Sequence, residues 1–163
     1  MKFASDVYRC LFAVLFAYCV GTTAAIADDT QNLVLDLYKS ESCGCCSGWQ
    51  QQMESQGFAV HVHHSDDLNA VKNAHAIAPA YQSCHTGVSA SGYVFEGHIP
   101  AKFIKAFLDN PPAAAKGLTV PGMPLGSPGM EMGDRFTPYD VLLLKNDGST
   151  EIFAHIESKS DQY

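Results

Sequence analysis

The sequence predicts an α/β fold in which helices flank a mixed central sheet, and three observations favour it. Residues 33–38 form an apolar run that is typical of a buried strand. A stretch with apolar side chains at helical spacing follows it, and residues 58–63 then alternate apolar and polar side chains, as a second strand does. The chain has 163 residues, a length that favours one compact domain.

The overall composition is that of a globular protein, and the negative charge argues against anionic partners. Hydrophobic residues make up 47% of the chain and charged residues 17%. The formal net charge of −7 argues against non-specific binding to nucleic acid or to anionic membranes. We therefore expect no nucleic-acid partner.

The first 27 residues are typical of a cleaved signal peptide. Lys2 and Arg9 precede an apolar run over residues 10–20, and the segment ends at Ala27 in an Ala-x-Ala cleavage pattern. The run is too short to span a bilayer comfortably. Cleavage changes the net charge from −7 to −8, because two cations and one anion leave. We expect an exported protein of the periplasm that has no membrane partner after cleavage.

Cys43, Cys45 and Cys46 lie at the start of the first predicted helix. A strand that feeds a helix with Cys-x-x-Cys in its first turn is the thioredoxin-type arrangement, so the predicted fold is thioredoxin-like. Unpaired N–H groups at a helix start lower the pKa of a thiol there, and the thiolate is both the nucleophile and the metal ligand. A dithiol switch needs only Cys43 and Cys46; the third sulfur beside them indicates a soft metal.

Cys84 is the fourth cysteine that remains after signal cleavage, and His85 follows it. In an exported protein, four cysteines are also compatible with two disulfides, for which three connectivities exist. One connectivity joins the adjacent pair Cys45 and Cys46. The other two link one member of this pair to Cys43 and the other to Cys84.

The remaining elements follow from periodicity and from turn residues. Gly57 ends the first helix, Ser65 is available to cap the second, and Pro100 suits the first position of the third. The predicted helices cover residues 45–56, 67–76 and 101–109, and further strands cover residues 93–96, 139–145 and 151–156. An Asn-Asp-Gly turn joins the last two strands. Residues 158–163 are expected to fray.

A loop insertion rich in Gly, Pro and Met is predicted over residues 111–138. Irregular segments of this length in a small domain are usually functional or disordered. The loop holds Met123, Met130 and Met132, whose thioethers either fill irregular gaps or ligate Cu(I).

A second group of candidate ligands, His61, His63 and His64, lies near the end of the second predicted strand. On a strand, His61 and His63 share one face and His64 points to the other. Exposed histidines are the ordinary outcome at such a position. We therefore expect these three side chains to be solvated, without a ligand role.

Several separated motifs of the sequence resemble those of one known family. They are Tyr38-Lys39-Ser40 with Cys43-Gly44-Cys45-Cys46 and Trp49; Ser83-Cys84-His85-Thr86; Gly92-Tyr93-Val94 with Glu96-Gly97-His98-Ile99-Pro100; Pro121-Gly122-Met123-Pro124 with Gly126-Ser127-Pro128-Gly129-Met130-Glu131; and Tyr139-Asp140-Val141-Leu142-Leu143. Over about residues 33–155 the chain resembles the periplasmic copper-resistance proteins called CopG. The resemblance implies a thioredoxin-like fold, a multinuclear copper cluster bridged by cysteine sulfur, and a role in copper handling that includes Cu(I)/Cu(II) redox chemistry.

The resemblance also implies a ligand set. The sulfur ligands would be Cys43, Cys45, Cys46 and Cys84, because soft Cu(I) prefers thiolates. His85 and His98 would complete the set or orient it from outside. Met123 and Met130 would cap or gate the cluster. The implied partners are copper ions and other periplasmic copper-handling proteins, and redox turnover would make the chain a copper oxidoreductase.

Two other functions fit the same residues. The first is a thiol-disulfide oxidoreductase that uses Cys43 and Cys46 in an oxidising compartment. The second is a structural zinc site of Cys43, Cys46, Cys84 and His85. The predicted organisation is then a signal peptide over residues 1–27, a lead-in over 28–32, a thioredoxin-like metal-binding domain over 33–156 and a tail over 157–163.

Overall fold

The structure, a computed structural model, describes residues 33–163, which form one seven-stranded sheet and three α-helices. The predicted signal peptide and lead-in lie outside the described residues. The strands are β1 (Val34–Lys39), β2 (Ala59–His64), β3 (Thr86–Ser89), β4 (Val94–Glu96), β5 (Ala115–Thr119), β6 (Tyr139–Lys145) and β7 (Thr150–Ile156). The helices are α1 (Gly44–Ser55), α2 (Leu68–Ala74) and α3 (Ala101–Asp109).

The sheet is mixed, as the sequence predicts. Its strand order is β2-β1-β3-β4-β5-β6-β7. The pairs β1–β2 and β4–β5 are parallel, and the other four pairs are antiparallel. The predicted α/β class is therefore confirmed.

The two faces of the sheet have different roles. The register places Leu37, Phe95 and Leu118 on one face, where they join the hydrophobic core with side chains of α1 and α3 such as Trp49 and Phe107. The register places Tyr38, Thr86, Glu96 and Thr119 on the opposite face. Lys72 of α2 reaches Thr86 and Glu96, so α2 covers this second face.

The cap of α2 differs from the predicted one. The Asp67 side chain accepts a hydrogen bond from the Ala70 N–H at 3.0 Å, so Asp67 is the N-cap. Ser65 lies two residues further back, where its hydroxyl accepts the Asp67 N–H at 3.2 Å. An Asp side chain at the cap accepts a hydrogen bond from a free N–H and also interacts favourably with the helix dipole.

The prediction of an irregular segment over residues 111–138 is wrong for residues 115–119. Ala115–Thr119 forms β5, which pairs with both β4 and β6 inside the sheet. Gly117 lies within this strand, and because glycine is typical of loops, the sequence did not indicate a strand here. The φ of Gly117 is +157°, and a Cβ there would overlap the backbone of Val94, so the close approach of β4 requires glycine. The loop that remains spans residues 120–138.

The C-terminal residues are ordered, although the sequence predicts that they fray. Ser158 and Asp161 form a capping box that begins a short 3-10 helix, Lys159–Gln162. The buried Gln162 amide accepts a hydrogen bond from the Tyr139 hydroxyl at 2.9 Å and donates one to the Gly126 carbonyl at 3.0 Å. These bonds attach the end of the chain to β6 and to the loop.

Within residues 33–163, no helix is both long enough and apolar enough to cross a membrane.

Candidate metal centre

The candidate metal centre lies beyond the C-terminal end of β1, on the sheet face that α1 covers. The turn after β1 and the first turn of α1 carry Cys43, Cys45 and Cys46. The segment before β3 carries Cys84 and His85, and the turn after β4 carries His98. All six side chains therefore come from the ends of elements that the sheet aligns.

The four sulfur atoms converge. The Cys84 Sγ lies 3.4 Å from the Cys46 Sγ and 4.0 Å from the Cys45 Sγ. The Cys43 Sγ lies 3.5 Å from the Cys45 Sγ. These atoms all lie within 4.8 Å of one another, a spacing that allows sulfur atoms to share metal ions.

One disulfide is present among the described residues, between Cys43 and Cys46, and Cys45 and Cys84 are free thiols. The four cysteines therefore form neither two disulfides nor four free thiols. Because the ligand of a metal ion is a thiolate, ligation by all four sulfurs requires reduction of this disulfide.

His98 is oriented toward Cys84 by the loop. Its Nδ1 lies 2.8 Å from the Pro128 carbonyl oxygen, and its Nε2 lies 3.0 Å from the Cys84 Sγ. A carbonyl oxygen only accepts hydrogen bonds, so Nδ1 carries the hydrogen and Nε2 presents a lone pair to the sulfur. Burial lowers the pKa of His98, which favours this neutral form. A backbone carbonyl that fixes the tautomer is the usual support of a metal-binding imidazole.

His85 lies on the other side of Cys84. Its Nδ1 is 3.3 Å from the Cys84 Sγ, and its fully buried Nε2 has no hydrogen-bond partner among the described residues. Burial, followed by His98 and Lys72, lowers the pKa of His85 well below its ordinary value, so the ring is neutral. An unpaired buried polar atom costs about 1–3 kcal/mol. One donor atom each from Cys84, His85 and His98 lie within 4.8 Å of one another, so nitrogen ligands are available beside the sulfurs.

Trp49 forms the inner wall of the centre. Its indole N–H donates to the Ile99 carbonyl at 2.9 Å, and its ring centroid lies 4.6 Å from that of His85. Trp49 is fully buried. The apolar wall excludes water from the histidine side of the centre, which strengthens electrostatic interactions there.

Cys84 is a protonated thiol in this arrangement. Burial, followed by the neighbouring Cys45, raises the pKa of Cys84 to about 12. A metal ion that binds Cys84 must therefore displace a proton from it.

The loop lies across the first turn of α1. Gly129 packs so closely there that a Cβ would overlap the Cys45 carbonyl oxygen and the Trp49 backbone nitrogen. Glu131 accepts a hydrogen bond from the Gln52 side chain at 2.5 Å. Met130 lies between Gly129 and Glu131 in the sequence and is half-buried, whereas Met123 is 53% exposed. The exposed Met132 Sδ accepts a hydrogen bond from Arg135 at 3.3 Å.

Sequence reasoning missed the support behind Cys84. The Glu96 carboxylate accepts hydrogen bonds from the Ser83 N–H at 2.7 Å and from the Thr86 hydroxyl at 2.6 Å. Lys72 pairs with the same carboxylate. The one signal in the sequence is a glutamate at the end of the short strand predicted over residues 93–96, since a charged residue needs a partner where a strand is buried.

The comparisons with known proteins agree with this centre. Residues 81–130 match the family described as "Protein of unknown function, DUF411". No curated protein matches the chain. Two solved structures are similar, "Copper resistance protein copG- Form 1" at 41% identity and "Form 2" at 40%; each has a TM-score of 0.72, and each match covers 77% of this chain and 98% of the other. At this identity and coverage, the chain belongs to the family of the copper resistance protein CopG.

Proposed function

We propose that this protein binds copper in a cluster of more than one Cu(I) ion, bridged by the sulfurs of Cys43, Cys45, Cys46 and Cys84. The proposal rests on the convergence of these four sulfur atoms, one of which, from Cys84, comes from a distant part of the chain. Thiolates are the ligands that Cu(I) prefers. The two similar solved structures are of a copper resistance protein, which supports copper as the metal.

The donor set favours several ions over one. Four thiolates around a single Cu(I) would leave a net charge of −3 in a half-buried site, which is unfavourable. Several Cu(I) ions bridged by the same sulfurs reduce that charge. The neutral nitrogens of His85 and His98 add ligands without adding charge.

The Cys43–Cys46 disulfide suggests how Cu(II) would be reduced to Cu(I) at this centre. Two Cu(II) ions accept one electron each from the Cys43 and Cys46 thiolates; the sulfur–sulfur bond forms, and the products are the disulfide and two Cu(I) ions. The disulfide is adjacent to the two free thiols, so the Cu(I) products have ligands at hand. A thiol reductant of the periplasm would restore the dithiol, and this reductant is one of the partners that we propose.

We assign different roles to the side chains of Met130 and Met123. Met130 follows Gly129, which contacts α1 beside Cys45, so its thioether is a candidate cap for the cluster. Met123 is largely exposed and suits a transient contact with an incoming ion. We further propose that the fold is of the thioredoxin type, with Cys43 as the N-cap of α1, and that the protein acts in the periplasm after loss of residues 1–27.

The decisive experiment is an anaerobic Cu(I) titration of the reduced and of the disulfide-containing protein, in competition with a bathocuproine chelator. The reduced protein should bind more than one Cu(I) per chain, and the disulfide form should bind less. X-ray absorption of the loaded protein should show copper–sulfur bonds and a short copper–copper distance. A capacity of one ion or none, or a capacity that reduction leaves unchanged, would contradict the cluster.

The disulfide also favours a second candidate function, a thiol-disulfide oxidoreductase, because Cys43 caps α1 as the attacking cysteine of such enzymes does. Rapid reduction of insulin together with no copper binding would favour it. One tightly held zinc ion after purification would instead favour the structural zinc site.

A further inference from the structure

A second group of metal-binding side chains lies on the edge of the sheet, away from the cysteines. The parallel register of β1 and β2 places Asp36 beside His61 and Tyr38 beside His63. Alternate residues of a strand point to the same face, so Asp36, His61 and His63 share the face that Tyr38 occupies. His64 points to the other face.

Both imidazole rings converge on one carboxylate oxygen. The His63 Nε2 lies 2.7 Å from the Asp36 Oδ1, and the His61 Nδ1 lies 3.8 Å from the same atom. Tyr38 stacks on the His63 ring at 4.9 Å between centroids, with 19° between the planes, which limits the freedom of that ring. The side chains of His61, His63 and Asp36 are 65%, 46% and 41% exposed, so an ion from solvent can reach them.

A surface ion pair would need only one of these histidines. His155 shows the contrast: its Nδ1 pairs with Asp140 at 2.6 Å and its Nε2 with Glu157 at 3.1 Å. There, the two carboxylates contact opposite nitrogens of one imidazole ring, so their oxygens and a ring nitrogen cannot bind one ion together. At Asp36 the arrangement is reversed, with two rings directed at one carboxylate.

We propose that Asp36, His61 and His63 form a site for one divalent transition-metal ion, with Cu(II) bound most tightly. Imidazole suits Cu(II), Ni(II) and Zn(II), and among these the stability order places Cu(II) highest. Two imidazoles and one carboxylate leave coordination positions for water. Binding requires the exposed His61 ring to turn toward an ion held between Asp36 and His63, because its Nδ1 lies 3.8 Å from the Asp36 Oδ1.

The site is separate from the cysteine centre. Asp36 and Tyr38 lie on the α2 face of the sheet, whereas the cysteines lie on the α1 face. The two sites share no residue. They also differ in donor type, since the cysteines offer soft sulfur that prefers Cu(I), and this site offers nitrogen and oxygen. The inference therefore stands whether or not the cysteines hold a copper cluster.

The test is a titration of the tag-free protein with copper(II) chloride, in a Cys45→Ser/Cys84→Ser background that keeps the Cys43–Cys46 disulfide and leaves no free thiol among the described residues. Electron paramagnetic resonance should show one Cu(II) per chain with two nitrogen ligands. His61→Ala and His63→Ala should each weaken Cu(II) binding at least about tenfold, since even loss of a group behind a ligand weakens binding 10–100-fold. His64→Ala, on the same strand, and His155→Ala, in the other histidine–carboxylate group, should leave it unchanged.

A second measurement does not depend on variants. In the background protein, substoichiometric Cu(II) should broaden the amide NMR signals of residues 34–39 and 59–64 and spare those of β5. Broadening centred elsewhere, or equal affinity of the His63→Ala and His64→Ala proteins, would overturn the proposal. A Cu(I) titration of reduced His63→Ala protein should match that of the unsubstituted protein, which separates this site from the cysteine cluster.

Discussion

Lys72 and Glu96 form a buried ion pair on the α2 face of the sheet, with 2.5 Å between the Lys72 Nζ and the Glu96 Oε1. The same carboxylate accepts the Ser83 N–H at 2.7 Å. Ser83 directly precedes Cys84. The ion pair therefore anchors, from behind the sheet, the segment that carries Cys84 and His85 into the centre.

Removal of the lysine should destabilise the protein strongly. Lys72→Met leaves the fully buried Glu96 carboxylate without its cation, and breaking a buried pair in this way costs about 3–5 kcal/mol. Urea unfolding measures the change in free energy. Lys145→Met is the matched control, because it removes an ion pair with the exposed Glu151 that is worth about 0–1 kcal/mol. Equal losses in the two variants would show that Lys72 does not anchor the segment.

Elements with strong local signals were predictable from the sequence. The bounds of α3 and β6 match the prediction to the residue. In α3, Pro100 marks the start, and Ile104, Phe107 and Leu108 recur at helical spacing. The Asn-Asp-Gly turn fixes the end of β6.

Elements that depend on distant partners were not predictable in the same way. β3 and β5 are short, each contains glycine, and each becomes a strand only because neighbours pair with it on both sides. The same holds for the centre. Cys43, Cys45 and Cys46 are visible as a local motif, whereas the Pro128 carbonyl that orients His98 comes from a loop 30 residues away.

Cys84 is the residue whose loss should most reduce copper binding. Its sulfur lies within 4.0 Å of the sulfurs of Cys45 and Cys46 and also adjoins both histidines. In Cys84→Ser, the sulfur that joins the two halves of the donor set is missing, so the reduced protein should bind at most one Cu(I) per chain. The anaerobic titration measures this capacity, and circular dichroism verifies that the variant is folded. Undiminished copper uptake by a folded variant would mean that the four sulfurs do not act together.

Alkylation of Cys84 in the metal-free protein should depend steeply on pH. Burial and Cys45 raise the pKa of Cys84 to about 12, and the thiolate is the reactive form. Below that pKa the thiolate fraction rises with pH, so the rate of reaction with iodoacetamide should increase about tenfold per pH unit between pH 7 and 10. Peptide mapping by mass spectrometry separates Cys84 from Cys45. A rate that levels off near neutral pH would instead reveal a thiolate–imidazolium pair between Cys84 and His98.

Gly129 should be required for the contact between the loop and α1. Its φ is +84°, and a Cβ there would overlap the Cys45 carbonyl oxygen and the Trp49 backbone nitrogen. Gly129→Ala must therefore push the loop away from the first turn of α1, and with it the Pro128 carbonyl that orients His98. Gly122→Ala is the matched control in the same loop: its φ is +69°, but a Cβ would meet no atom within 4 Å.

The two alanine variants separate backbone strain from the clash. Gly122→Ala should lose only about 1–2 kcal/mol of unfolding free energy, the cost of a left-handed conformation with a side chain, and should keep its copper capacity. Gly129→Ala should lose more than this and should also bind less Cu(I), because His98 is no longer held toward Cys84. Urea unfolding and the anaerobic titration measure both quantities on the same preparations. If Gly129→Ala keeps full copper capacity while its stability falls, the loop supports the fold without orienting the ligands.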